Sequence, residues 1–86
     1  MYTIRLVRSA AKALAVLPKP VQRRIGRRID ALAEDPFSQD SVLLRGTEDL
    51  RRVRVGDYRI IYRVEQAELL VLILRIRHRG AAYRNL

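Results

Sequence analysis

Four arginines recur at strand spacing around a glycine-aspartate pair: Arg52 and Arg54 precede Gly56-Asp57, and Arg59 and Arg63 follow it. A guanidinium is permanently charged and carries forked donors that match the oxygens of a phosphate. If Gly56-Asp57 is a two-residue hairpin turn, Val55 faces Tyr58, Arg54 faces Arg59, Val53 faces Ile60 and Arg52 faces Ile61. One face then carries Val53, Val55, Tyr58, Ile60 and Tyr62, and the other carries Arg52, Arg54, Arg59 and Arg63. Like charges opposite one another destabilise a sheet. No acidic residue of the expected hairpin shares the arginine face, so an external anion is the simplest compensation. The alternative is that the long stems splay into water, where screening weakens their repulsion.

A second cluster follows the expected last strand: Arg75, Arg77, His78, Arg79, Tyr83 and Arg84, with the one histidine of the chain. An unperturbed imidazole titrates near pH 6.5, which suits His78 to general acid or base work, and Tyr83 could move a proton or stack on a base. Taken singly, each also fits an ordinary structural role. One histidine, no cysteine and nine scattered acids offer no convincing metal site, and no Gly-rich phosphate loop leads into Lys-Ser/Thr. No cofactor is expected. A chain with this inventory that cleaves a phosphodiester would use the ribose 2′-hydroxyl as nucleophile and arginines to stabilise the phosphorane. That chemistry requires RNA.

The charge balance points the same way. Among 86 residues, 18 basic against 9 acidic side chains give +9, and 16 of the basic residues are arginine, so a polyanionic partner is expected. The longest apolar run, residues 69–74, is far short of a membrane span, and the first residues lack the apolar core of a secretory signal. The absence of cysteine fits a reducing cytosol. A single cytoplasmic domain over residues 1–86, with no membrane partner, is the expectation.

The elements that must hold these residues follow from periodicity. Residues 2–7 alternate as a strand. Ser9 is expected to cap a short helix through Leu17, with Ala10, Ala13, Leu14 and Leu17 on one face. A second helix starts around Pro20, carries the stripe Val21, Ile25, Ile29 and Leu32, and stops at Asp35-Pro36. Arg23, Arg24, Arg27 and Arg28 lie off that stripe, either as a solvated face or as a surface attracted to nucleic acid. Residues 36–49 read as a loop around the apolar island Val42, Leu43 and Leu44. Strands are expected at 50–55, 58–64 and 68–77, with turns at Gly56-Asp57 and around Gln66-Ala67. The fold class is α+β: an N-terminal strand, an antiparallel two-helix hairpin, then a three-stranded antiparallel meander, β-α-α-β-β-β, with the helices covering one sheet face.

In order along the chain, the Leu44-Arg45-Gly46 segment, the run from Leu50 through Gly56-Asp57-Tyr58-Arg59 to Tyr62, and His78-Arg79 followed by Tyr83 resemble the RelE/ParE toxin superfamily over the whole length, with the His-Arg and Tyr resembling its RelE-like branch. The resemblance implies a compact, small antiparallel sheet with two N-terminal helices, and a ribosome-dependent endonuclease that cuts mRNA at codons in the ribosomal A site. It implies Arg59, Arg79, Tyr83 and His78 as catalytic residues and Arg52, Arg54 and Arg63 as phosphate-binding ones. RelE-like enzymes often carry lysine where Arg52 and Arg54 stand, and arginine, unlike lysine, does not give up its proton. These two would therefore bind the scissile phosphate, leaving His78 or Tyr83 as base. The resemblance also implies a cognate antitoxin with acidic or amphipathic segments, the ribosome and mRNA as partners, and operator DNA only through the antitoxin complex. The alternative from the same superfamily is a non-nucleolytic ParE-like toxin that inhibits DNA gyrase.

Overall fold

Local propensity and long-range pairing combine in a mixed five-stranded sheet with two helices; the structure, a computed structural model, describes residues 1–47 and 49–79. The elements are β1 (Thr3–Leu6), α1 (Arg8–Ala15), α2 (Lys19–Glu34), β2 (Val42–Leu43), β3 (Leu50–Val55), β4 (Tyr58–Glu65), a 3₁₀ turn (Gln66–Glu68) and β5 (Leu70–His78). Strand order is β1-β5-β4-β3-β2. No helix among the described residues is long and apolar enough to cross a membrane.

The α+β class and the β3-β4-β5 meander are as expected, but the sheet is not purely antiparallel. β1 lies at one edge, parallel to β5, with Ile4 beside Val71 and Leu6 beside Ile73. The two helices supply the crossover that such a parallel pairing needs, and the register matches apolar residue to apolar residue on the buried face. At the other edge Val42 and Leu43, expected within a loop, form β2 antiparallel to β3, opposite Arg52 and Arg51. Two residues are too few to show an alternation in sequence.

The turn at Gly56-Asp57 sets the hairpin as expected: Val55 pairs with Tyr58, Arg54 with Arg59, Val53 with Ile60 and Arg52 with Ile61. Gly56 takes φ +57°, the left-handed conformation that a glycine adopts without a Cβ penalty at the first central position of a hairpin turn. The next connection is longer than a tight turn. β4 runs on to Glu65, the 3₁₀ turn follows, and Leu69 takes φ 50° before β5 begins.

Helix α1 is preceded by Val7 in extended conformation, with no side-chain cap; Ser9 already lies inside the first turn and does not cap it. The reason is that β1 passes almost directly into the helix, which therefore starts before the serine. At its other end, Gln22 of α2 donates from Nε2 to the carbonyls of Ala15 and Leu17, both at 2.9 Å. This satisfies acceptors that a helix C-terminus leaves open and fixes the link between the helices. Pro20 sits in the first turn of α2, where its missing N–H costs nothing.

The core lies between the helices and one sheet face: Ala10, Ile25, Ile29 and Leu32 from the helices meet Val53, Ile60, Tyr62, Val71, Ile73 and Ile76. Tyr62 is fully buried and donates its hydroxyl hydrogen to the carbonyl of Pro36 at 2.7 Å. The loop after α2 is held further by Arg28, which donates to Ser38 at 2.9 Å and to Asp40 at 2.7 Å. Arg51, on the core side of β3, donates to Ser41 Oγ and lies 5.2 Å over the Phe37 ring. The Ser38 hydroxyl, followed by the Arg28 guanidinium, holds the Asp40 carboxyl below its ordinary pKa.

Burial pushes the Tyr62 phenol above its ordinary pKa. Its contribution to stability is therefore complete below about pH 10 and lost as pH rises through its higher folded-state value. Tyr62→Phe should cost about 1–3 kcal/mol at neutral pH, because the Pro36 carbonyl loses its donor. It should also flatten the alkaline limb, so that urea melts of wild type and variant converge with rising pH.

Candidate nucleic-acid interface

Because directly paired residues share a sheet face, the observed registers extend the arginine face beyond the β3-β4 hairpin. Arg54 pairs with Arg59 and Arg59 with Arg77, so three guanidinium groups stand in one row across three strands. In the next row Arg52 and Arg75 flank Ile61. Arg63 pairs with Leu72, which lies beside Arg5 of β1. The face thus carries Arg5, Arg52, Arg54, Arg59, Arg63, Arg75 and Arg77, opposite the side that packs on the helices. Ile61 and Leu72 are half-buried among them and give the long stems an apolar floor.

The face is not free of acid, contrary to expectation. β4 runs one residue further than its predicted end, and Glu65 forms an ion pair with Arg63, its carboxylate 2.8 Å from Nε, on the same face two residues away. Arg63 is therefore partly neutralised within the molecule. A second ion pair, Arg28 with Asp40, lies off this face, in the loop after α2.

Where that row meets the hairpin turn there is a small pocket of about 20 Å³, lined by Arg54, Gly56, Asp57, Tyr58, Arg59 and Arg79. Arg79 is brought there by its own backbone, whose N–H donates to the Asp57 carbonyl at 2.6 Å. That bond carries the β5 chain one residue past the end of the ladder and onto the turn. Three of the expected residues, Arg54, Arg59 and Arg79, therefore converge, while Arg52 and Arg63 lie farther along the same face. The arrangement suits an oxyanion that gains charge, because three delocalised cations meet at a partly enclosed point.

His78 stands apart from this group. It pairs with Tyr58, so it has the parity of the core face, and its ring meets the Tyr58 ring edge-on at 5.2 Å between centroids and 85° between planes. Tyr83 lies outside the described residues. Sequence reasoning missed Arg75, Arg77 and Arg5 as members of the face; the first two were readable from their two-residue spacing, whereas Arg5 depends on a pairing that no local pattern announces. No group of three or more histidine, aspartate and glutamate side chains among the described residues is arranged to hold a metal ion.

Comparison with known proteins gives a consistent set of relatives. A family model described as the ParE toxin of the type II toxin-antitoxin system parDE matches residues 4–83. The chain is 30% identical over 85 residues to toxin RelG of Mycobacterium tuberculosis, covering 98% of each protein. Its structure is similar to that of the toxin in an archaeal RelE–RelB complex from Pyrococcus horikoshii, with 37% identity, TM-score 0.81, and coverage of 92% of this chain and 96% of that one. It shares its fold with the isolated RelE toxin of E. coli at 20% identity, TM-score 0.82, over 100% of both chains.

The Arg63–Glu65 pair yields a test of the face as a polyanion surface. Glu65→Gln should release Arg63, tighten binding of single-stranded polynucleotide and steepen its log–log salt dependence by about 0.7, one further phosphate contact. Fluorescence anisotropy across a salt series reads both quantities, and an unchanged slope would remove Arg63 from the binding surface.

Proposed function

This chain belongs to the RelE/ParE superfamily of type II toxin-antitoxin toxins, on its RelE-like side, and from that premise we propose that it is a metal-independent endoribonuclease that cuts mRNA in the ribosomal A site. The observation that carries the reading is the convergence of Arg54, Arg59 and Arg79 at the β3-β4 turn, at the end of a face bearing further arginines.

In the proposed reaction the ribose 2′-oxygen forms a bond to the adjacent phosphorus while the bond from phosphorus to the 5′-oxygen breaks. The 2′ proton passes to a base and the leaving 5′-oxygen takes up a proton, so the products are a 2′,3′-cyclic phosphate and a 5′-hydroxyl. Arg54 and Arg59 bind the non-bridging oxygens and stabilise the charge that grows on the phosphorane, with Arg52 and Arg63 holding flanking phosphates. Arg79 stabilises the charge on the leaving oxygen, which takes its proton from solvent. None of these guanidinium groups can serve as the base. His78 has the parity of the opposite sheet face, so the base is assigned to Tyr83. His78 is then a positioning residue that steadies Tyr58 at the start of β4.

A cognate antitoxin with acidic or amphipathic segments would cover the arginine face, in keeping with the RelE–RelB complexes among the structural relatives. Any operator binding would come through that complex. Action in the cytoplasm follows from mRNA and the ribosome as targets. A second reading, gyrase inhibition by binding alone, is favoured by the ParE description of the matching family model.

Primer extension on a defined mRNA in a reconstituted translation system separates the two. Wild type should cut at A-site codons only with ribosomes present. Arg59→Ala and Arg79→Ala should each lower cleavage about 10²- to 10³-fold with little change in thermal melt. Tyr83→Phe should lower it as well, whereas His78→Gln should leave most of the rate. Intact mRNA alongside loss of gyrase supercoiling would replace the nuclease reading with the ParE-like one.

A further inference from the structure

On the other side of the β3-β4 turn lies a wider groove of about 350 Å³ between that turn and α2, lined by Arg24, Arg27, Arg28, Ala31, Arg54, Val55 and Gly56. Residues 24, 27, 28 and 31 follow the i, i+3, i+4, i+7 spacing of one helix face. Arg28 is engaged by Asp40 and Ser38, whereas Arg24 and Arg27 have no ion pair among the described residues. Arg24 reaches the turn. Its guanidinium lies over Gly56 so closely that a Cβ there would stand 2.9 Å from a terminal nitrogen. The absence of a side chain at Gly56 thus lets one cation settle on the turn beside another, Arg54, an arrangement that costs electrostatic energy until an anion joins it.

Arg54 and Gly56 line both this groove and the small pocket on the sheet face. We propose that the groove is a second phosphate site, in which Arg24 and Arg27 hold the RNA backbone on one side of the segment bound at Arg54, Arg59 and Arg79. The strand crosses the β3-β4 turn, with Arg54 common to both sites. This rests on RNA being the substrate. The lining favours a nucleic-acid backbone over an acidic protein segment. Ala31 and Val55 are its apolar side chains among four arginines, and it holds no aromatic residue of the kind that anchors many protein interfaces. Forked guanidinium donors alone suffice for phosphates.

The test uses fully 2′-O-methylated oligonucleotides, which bind without being cut: a trinucleotide that reaches only the sheet-face pocket, and an oligomer of about twelve nucleotides that spans both sites. Binding of the free chain is followed by fluorescence anisotropy over a salt series. Loss of two phosphate contacts in R24Q/R27Q should weaken the long oligomer about 25-fold near 0.1 M salt and reduce its log–log salt slope by about 1.4. Trinucleotide affinity should stay at the wild-type value, and R24K/R27K should recover most of the slope. A long-oligomer affinity and slope unchanged in R24Q/R27Q would overturn the second site and leave the RNA reading standing. Wild-type protein that binds neither oligomer would also overturn the second site, while the RNA reading stands or falls on the primer-extension result with ribosomes. A polyglutamate peptide whose binding depends on Arg24 and Arg27, when that of the oligomer does not, would assign the groove to an acidic protein segment and overturn the proposal.

Discussion

A two-residue turn leaves its strands almost no freedom in how they pair, and the parity set at Gly56-Asp57 is the constraint on which the rest of this molecule depends. With Val55 opposite Tyr58, every apolar residue needed for the core falls on one side, and Arg52, Arg54, Arg59 and Arg63 fall on the other. A slip of one residue would send the arginines into the helices and Val53, Ile60 and Tyr62 into water. The burial of Ile25, Ile29 and Leu32 against that side and the exposure of a cationic surface are therefore the same structural fact. The polar clamps around residues 36–41 act on this frame from outside. Tyr62 reaches the Pro36 carbonyl and Arg51 reaches Ser41, so the chain leaving α2 is tied to the hairpin before it enters β2.

What could be read from the sequence was local. The hairpin register, the apolar stripe of α2 and the three-stranded meander follow from spacing and turn chemistry over a few residues. The parallel pairing of β1 with β5 was not readable, because its partners are separated by most of the chain and nothing near residue 3 names residue 70. β2 failed for the opposite reason: Val42 and Leu43 make a strand only by lying beside β3. Ser9 looked like a helix cap because its type is right, but the helix begins one residue earlier. His78 was placed with the arginines on composition, whereas continuing the hairpin register across one more strand assigns it to the other side.

The arginine face balances opposing requirements. Seven guanidinium groups on one sheet surface repel one another, which weakens the sheet, and at the margin Glu65 offsets part of this by pairing with Arg63. The row nearest the turn, Arg54, Arg59 and Arg77, gathers three of these charges, and Arg79 and the turn enclose a pocket beside it. The half-buried Ile61 and Leu72 give the stems an apolar floor to pack on. A surface built this way is stabilised by any well-matched polyanion, and partner binding and fold stability become linked quantities.

The pairing of β1 with β5 bears on when the molecule becomes competent. The first strand made on the ribosome finds its place only beside the last described one, so β1 must wait, unpaired, while the helices and the hairpin emerge and fold. Arg5 joins the cationic face only at that final step. Until β5 is made the chain carries its helical hairpin and an incomplete sheet, and the finished arginine surface forms only when β5 has joined both β4 and β1. This sets a built-in interval between the making of the helices and the assembly of a surface that any polyanion could recognise whole.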